Sequence, residues 1–128
     1  MDHNDIVWRL AQLASLPYQE RYIVQGTSDE FLTARDILED VDAVRIAMNR
    51  GHVVDGDLSS IDLFAELFHA MDGAIEIASS IKSENRPNDS VIFSKQWDLI
   101  RNRAAYLLEH YGINIHDMSV SDIDQLAE

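Results

Sequence analysis

The stretch IDLFAELFHAMDGAIEIASSIK, residues 61–82, decides the fold. Ile61, Phe64, Leu67, Phe68, Met71, Ala74, Ile75, Ala78 and Ile81 recur at steps of three and four, which places them on one side of an α-helix. Ser59 or Ser60 supplies an N-cap, because a serine hydroxyl can accept an otherwise unpaired N–H of the first turn. Past this helix, residues 83–90 are polar and contain Pro87, which marks a turn or exposed connector. A second long amphipathic pattern then runs over 91–111, with Phe93, Trp97, Ile100, Ala104, Leu107, Leu108 and Tyr111 toward the core and Gly112 as the stop. Two such helices with a short polar link predict an antiparallel hairpin, about 61–82 and 91–111, at the centre of the molecule.

Upstream, the pattern remains helical. Asn4 is a candidate cap for a helix running to about Ser15, with Ile6, Leu10, Leu13 and Ala14 on one side. Pro17 suits the first turn of a short second helix over 18–25 that Gly26 can end. The run Arg21-Tyr22-Ile23-Val24 is also compatible with a strand, since aromatic and β-branched residues favour extended backbone. Thr27 with Glu30 reads as a capping box. It opens a helix to about Asn49 whose inner stripe is Phe31, Ala34, Leu38 and Val41, with Ile37, Val44 and Met48 beside it and Gly51 as the stop. Residues 51–58 read as a loop, and Ser121 as the cap of a short helix to Leu126. The expected fold is all-α: one domain over residues 1–128, a compact bundle of four to six helices.

Charge is the strongest functional signal. The 128 residues carry 23 acids and 10 bases, for a formal net charge of -13. Residues 29–66 hold ten of the acids against Arg35, Arg45 and Arg50. Such a field repels nucleic acid and anionic membrane and attracts basic surfaces. The hydrophobic fraction of 46% separates the chain from acidic disordered tails. With no cysteine, there is neither a disulfide framework nor a thiolate site. The N-terminus lacks the basic start and apolar run of a secretory signal, and no apolar run approaches the ~20 residues of a membrane span, so a cytoplasmic protein is expected.

Few motifs suggest chemistry. Glu66-x-x-His69 has the spacing at which a carboxylate and an imidazole share a helix face and could bind one metal ion. Dinuclear carboxylate bundles use that motif twice with further glutamates, whereas here it occurs once, so His69 reads as a boundary residue and no metal or cofactor is expected. Trp97 falls on the core register, and Trp8 reads as a core-edge residue. The acidic stripe Asp62, Glu66, His69, Gly73, Glu76 beside Asp36, Glu39 and Asp40 resembles, generically, the paired acidic helices with which all-α nucleotide pyrophosphatases hold magnesium and a triphosphate. Those enzymes carry Glu-x-x-Glu and Glu-x-x-Asp pairs. This chain has Glu39-x-x-Asp42, no good second pair and no basic cluster to receive phosphates. A magnesium-dependent hydrolase is therefore the alternative reading, and an assembly protein that self-associates through apolar faces is the third.

The leading expectation is a non-enzymatic acidic module that docks on a basic protein, as immunity proteins and antitoxins do when they block the cationic site of a nuclease toxin. Its expected contact residues are Asp36, Glu39, Asp40 and Asp42 on one helix, Asp55 and Asp57 in the following loop, and Asp62 and Glu66 on the next helix.

Overall fold

A computed structural model describes residues 2–25, 34–51, 61–83 and 92–126, with side chains from 62 to 73 in the helix that begins at Ile61. Every regular element among these residues is helical. The Thr27 and Glu30 box, Phe31, the stop at Gly26, the loop carrying Asp55 and Asp57, the Ser59/Ser60 cap and the Pro87 connector lie outside the described residues, as do the side chains of Ala34, Ile61, Ala74, Ile75, Ala78 and Ile81.

Helix α1 (His3–Ala14) has its cap two residues earlier than Asn4: the Asp2 carboxylate accepts the Asp5 N–H at 2.9 Å. An acid at this end also complements the helix dipole. Ile6, Val7, Leu10, Ala11, Leu13 and Ala14 are all buried, more than a single stripe would require. Accordingly α1 packs against several of the other helices. Ser15 makes the corner that follows. Its N–H closes α1 on Ala11 O at 3.1 Å, while its hydroxyl accepts the Tyr18 N–H and starts α2 (Leu16–Gln19), with Pro17 in the first turn. The chain continues as a turn of π-helix, Glu20–Val24, closed by Gln25 N–H on Glu20 O at 2.9 Å. Residues 18–24 are thus helical rather than extended.

Helix α3 (Ala34–Asn49) buries Ile37, Leu38, Val41 and Val44, and Gly51 beyond it adopts φ 70°, the left-handed conformation that suits a glycine stop. Helix α4 (Ile61–Ser83) buries Phe64, Leu67, Phe68 and Met71. Helix α5 (Lys95–His110) buries Trp97, Ile100, Ala104, Leu107 and Leu108, and Gly112 at φ 76° ends it. Glu66 meets Arg103 and Ala70 meets Gln96, so α4 and α5 pass each other in opposite directions. A 3₁₀ turn, Ile115–Asp117, leads to α6 (Val120–Leu126), which lies against α1.

Two further boundaries differ from the sequence reading. Helix α5 begins at Lys95 because Ser94 accepts the Trp97 N–H at 3.2 Å. Phe93 therefore precedes the first turn and is 57% exposed, while Ile92 takes the buried place beside it. Helix α6 is capped by Ser119 rather than Ser121. The Ser119 hydroxyl accepts the Asp122 N–H at 3.1 Å and the Asp122 carboxylate accepts the Ser119 N–H at 2.9 Å, a reciprocal box closed by aspartate.

The packed interior includes a polar centre. Gln19 is fully buried on α2. Its amide nitrogen donates to Gln12 O and Leu13 O at 3.0 and 2.8 Å, which ties α2 to the end of α1. Its amide oxygen accepts from Trp97 Nε1 and Arg101 Nη1, both at 2.9 Å, which ties α2 to α5. Arg101 also donates to Ile92 O at 2.7 Å and pairs with Asp98. Buried polar atoms need such partners, since an orphan costs about 1–3 kcal/mol. Nearby, the Tyr18 hydroxyl donates to Gln12 Oε1 at 3.3 Å, and burial above all pushes its phenol well above the ordinary value, so it stays a donor. The Tyr22 hydroxyl donates to Asp124 Oδ2 at 2.7 Å and fastens the π turn to α6.

Candidate binding surface

Helix periodicity sends the acids of α3 in different directions, and arginines meet them. Asp36 and Glu39 are exposed, and Glu39 pairs with Arg35 at 2.9 Å one turn back. Asp40 is half-buried and turned toward α1, where Arg9 Nη1 donates to its backbone oxygen at 2.9 Å and sits 3.5 Å from Oδ1. Burial is the largest influence on the Asp40 carboxyl and pushes it above the ordinary aspartate value. Arg9 opposes that shift, and the charges of Asp36 and Glu39 add to it.

On the other flank Asp42 pairs with Arg45 at 2.7 Å, and the same guanidinium reaches Asp72 of α4 at 2.9 Å. Arg45 lies 5.0 Å from the centre of the Phe68 ring, so it bridges α3 and α4 while covering an aromatic face. The hydrogen bond to Asp72, then the charge of Asp42, hold Arg45 above its ordinary value against the effect of burial. Glu66 faces α5 and binds Arg103 at 2.7 Å, and Asp62 is exposed one turn before it. Of the eight expected contact acids, Glu39, Asp40, Asp42 and Glu66 thus each have an arginine of this chain beside them. Asp55 and Asp57 lie outside the described residues.

A cleft of about 500 Å³ lies between α4 and α5, with Glu66, His69 and Asp72 on one side and Leu99 and Arg103 on the other. A shallower hollow of about 360 Å³ continues it past Leu99 to Tyr106. Gly73 lets the helices approach here. A Cβ on it would stand 3.2 Å from Gln96 Nε2, which donates to Ala70 O at 2.8 Å. The spacing of Glu66 and His69 does place both on this cleft, but Arg103 engages the carboxylate. Among the described residues no three His, Cys, Asp or Glu side chains are gathered to hold a metal ion. The carboxylates of Glu39-x-x-Asp42 are similarly engaged, by Arg35 and Arg45.

Leu99 and Tyr106, outside the expected contact set, are 41% and 53% exposed on the side of α5 that borders this cleft. Their seven-residue spacing, off the Trp97, Ile100, Ala104, Leu107 stripe, was the available signal. Trp8 packs partly buried at the core edge, as expected, with Arg9 5.7 Å from its ring centre. Among the described residues no helix is long and apolar enough to cross a membrane. Comparison with protein-family models, curated proteins and solved structures gives no significant match for this chain.

Proposed function

We propose that this chain is an acidic binding module for a basic protein, and that its specific role is that of an immunity protein or antitoxin covering the cationic site of a nuclease toxin. The observation that carries this reading is the charge balance. With 23 acids and 10 bases, one-to-one pairing within the chain still leaves thirteen negative charges. Arg9, Arg35, Arg45, Arg101 and Arg103 are each already beside a carboxylate, so these five do not supply a basic patch for phosphate groups. The arginines subdivide the acids of α3 and α4. The excess gives a long-range field that speeds encounter with a cation-rich surface and discriminates against like-charged partners.

The test begins with capture of a basic protein from the native host and continues with that protein purified. The expected results are an affinity that falls steeply between low and high salt, and loss of the partner's nuclease activity at stoichiometric complex. Equal affinity for the Asp55→Lys/Asp57→Lys double variant would remove the loop from the contact surface. Affinity insensitive to salt would overturn the electrostatic reading itself.

A further inference from the structure

We infer that the α4/α5 cleft is the docking groove for a cationic amphipathic helix of the partner, an assignment that rests on the acidic-module reading and narrows it to one face. Two unlike walls meet there. On α4, Glu66 and Asp72 bring carboxylates to the cleft. On α5, Leu99 and Tyr106 expose apolar surface along the same groove. Leu99 and Tyr106 facing Glu66 and Asp72, with Arg103 of the same helix held by Glu66, match a segment that is apolar on one face and basic on another.

The internal pairs sharpen the charge argument. Arg103 balances Glu66 alone, but Arg45 is shared by Asp42 and Asp72, so that three-membered group keeps one uncompensated negative charge. A carboxylate has lone pairs for more than one donor, so Asp72 can hold Arg45 and still receive an incoming lysine or arginine. Geometry favours a helical guest. Leu99 and Tyr106 are seven residues apart, two turns, or ~10 Å along α5. That separation suits anchors one heptad apart on a helix lying in a groove. Charge disfavours the other occupants of such a groove: a second copy of this chain also carries -13, and phosphate backbones are repelled by the same carboxylates.

The decisive experiment uses two peptides of about 14 residues with identical Lys, Leu and Ala composition, one segregating Lys and Leu on opposite helix faces and one scrambled. Each is titrated into isotopically labelled full-length protein at low salt, with amide shifts followed by NMR. The segregated isomer should bind at least about tenfold more tightly, and its shifts should centre on residues 66–73 and 96–106. Leu99→Ser, Tyr106→Ser and Asp72→Asn should each weaken that binding several-fold while the far-ultraviolet circular dichroism stays unchanged, the first two positions being exposed. Equal binding of both isomers, or shifts confined to residues 35–42, would overturn the groove and leave the general acidic-module reading standing. No binding of either isomer would overturn the groove as well. The wider reading would then be judged independently, by the salt dependence of the native partner.

Discussion

Arg101 and Arg35 make the same chemical contact, a guanidinium on a carboxylate within one helix, and the structure uses them very differently. Arg101 is nearly buried and shares the Gln19 amide oxygen with the Trp97 indole, so its position is fixed by contacts from two other segments. Arg35 and Glu39 are both more than half exposed and touch across one turn of α3. The first arrangement defines how α1, α2 and α5 meet. The second adjusts local surface charge. A buried guanidinium must be judged by what remains if its acceptors leave, whereas water replaces either partner of an exposed pair at little cost.

The largest effect should come from disturbing the inner arrangement. Gln19→Leu keeps roughly the same volume but leaves Trp97 Nε1 and Arg101 without their shared acceptor. We expect a loss of about 3 kcal/mol, because the buried Trp97 N–H loses its acceptor and the charged Arg101 loses one of its three. For a domain of this size that lowers the melting temperature by roughly 10 °C, and urea or thermal unfolding followed by circular dichroism measures it. A loss below about 1 kcal/mol would mean that water or rearrangement satisfies both donors.

An intermediate case lies between the two regions, at half-buried Asp40. Its carboxyl in the folded chain sits above the ordinary aspartate value, so the folded state holds the proton more tightly than the unfolded state. The sign follows from linkage: Asp40 adds stability when protonated, and that contribution is lost as pH rises through its folded value. Asp40→Asn removes the ionisation and keeps the Arg9 bond to the backbone oxygen. The difference in melting temperature, variant minus parent, should therefore increase from about pH 4 to pH 7. A difference that decreases with pH would show that Arg9 outweighs burial at this carboxylate. The smallest effect should be that of Arg35→Ala, at most about 0.5 kcal/mol and diminishing with added salt. A larger change would draw the exposed pair into the same class as the inner one.

The contrast also separates what can be read in the sequence from what cannot. Helix periodicity is a local property, so the all-α class and the core positions of Phe64, Leu67, Trp97 and Leu107 follow from spacing alone. The Arg35–Glu39 pair is likewise visible as i, i+4. Gln19 is not: a polar residue in a short helix reads as surface, and only Trp97, 78 positions later, makes it interior. The pairings of Arg9 with Asp40, Arg45 with Asp72 and Arg103 with Glu66 all cross between helices, so counting acids along the chain could find the excess but not its division. The spacing of Phe93 to Trp97 fits a helix and so predicts a core position for Phe93. The Ser94 cap starts that helix at Lys95, two residues past Phe93, so the spacing does not apply. Ser119 is not legible as a cap in the sequence because its box closes with Asp122 rather than with the longer Glu or Gln of the usual pattern.

The seating of α1 against α5 and α6 has a consequence for the order of assembly. Helix α3 covers one side of this first helix, but its cover from α5 and α6 lies some ninety or more positions later, so during synthesis part of its oily surface emerges long before that cover. Local coiling of α3 or α4 can proceed at once. Closure must await the last segments, which makes the early chain the part most in need of protection from aggregation on the ribosome.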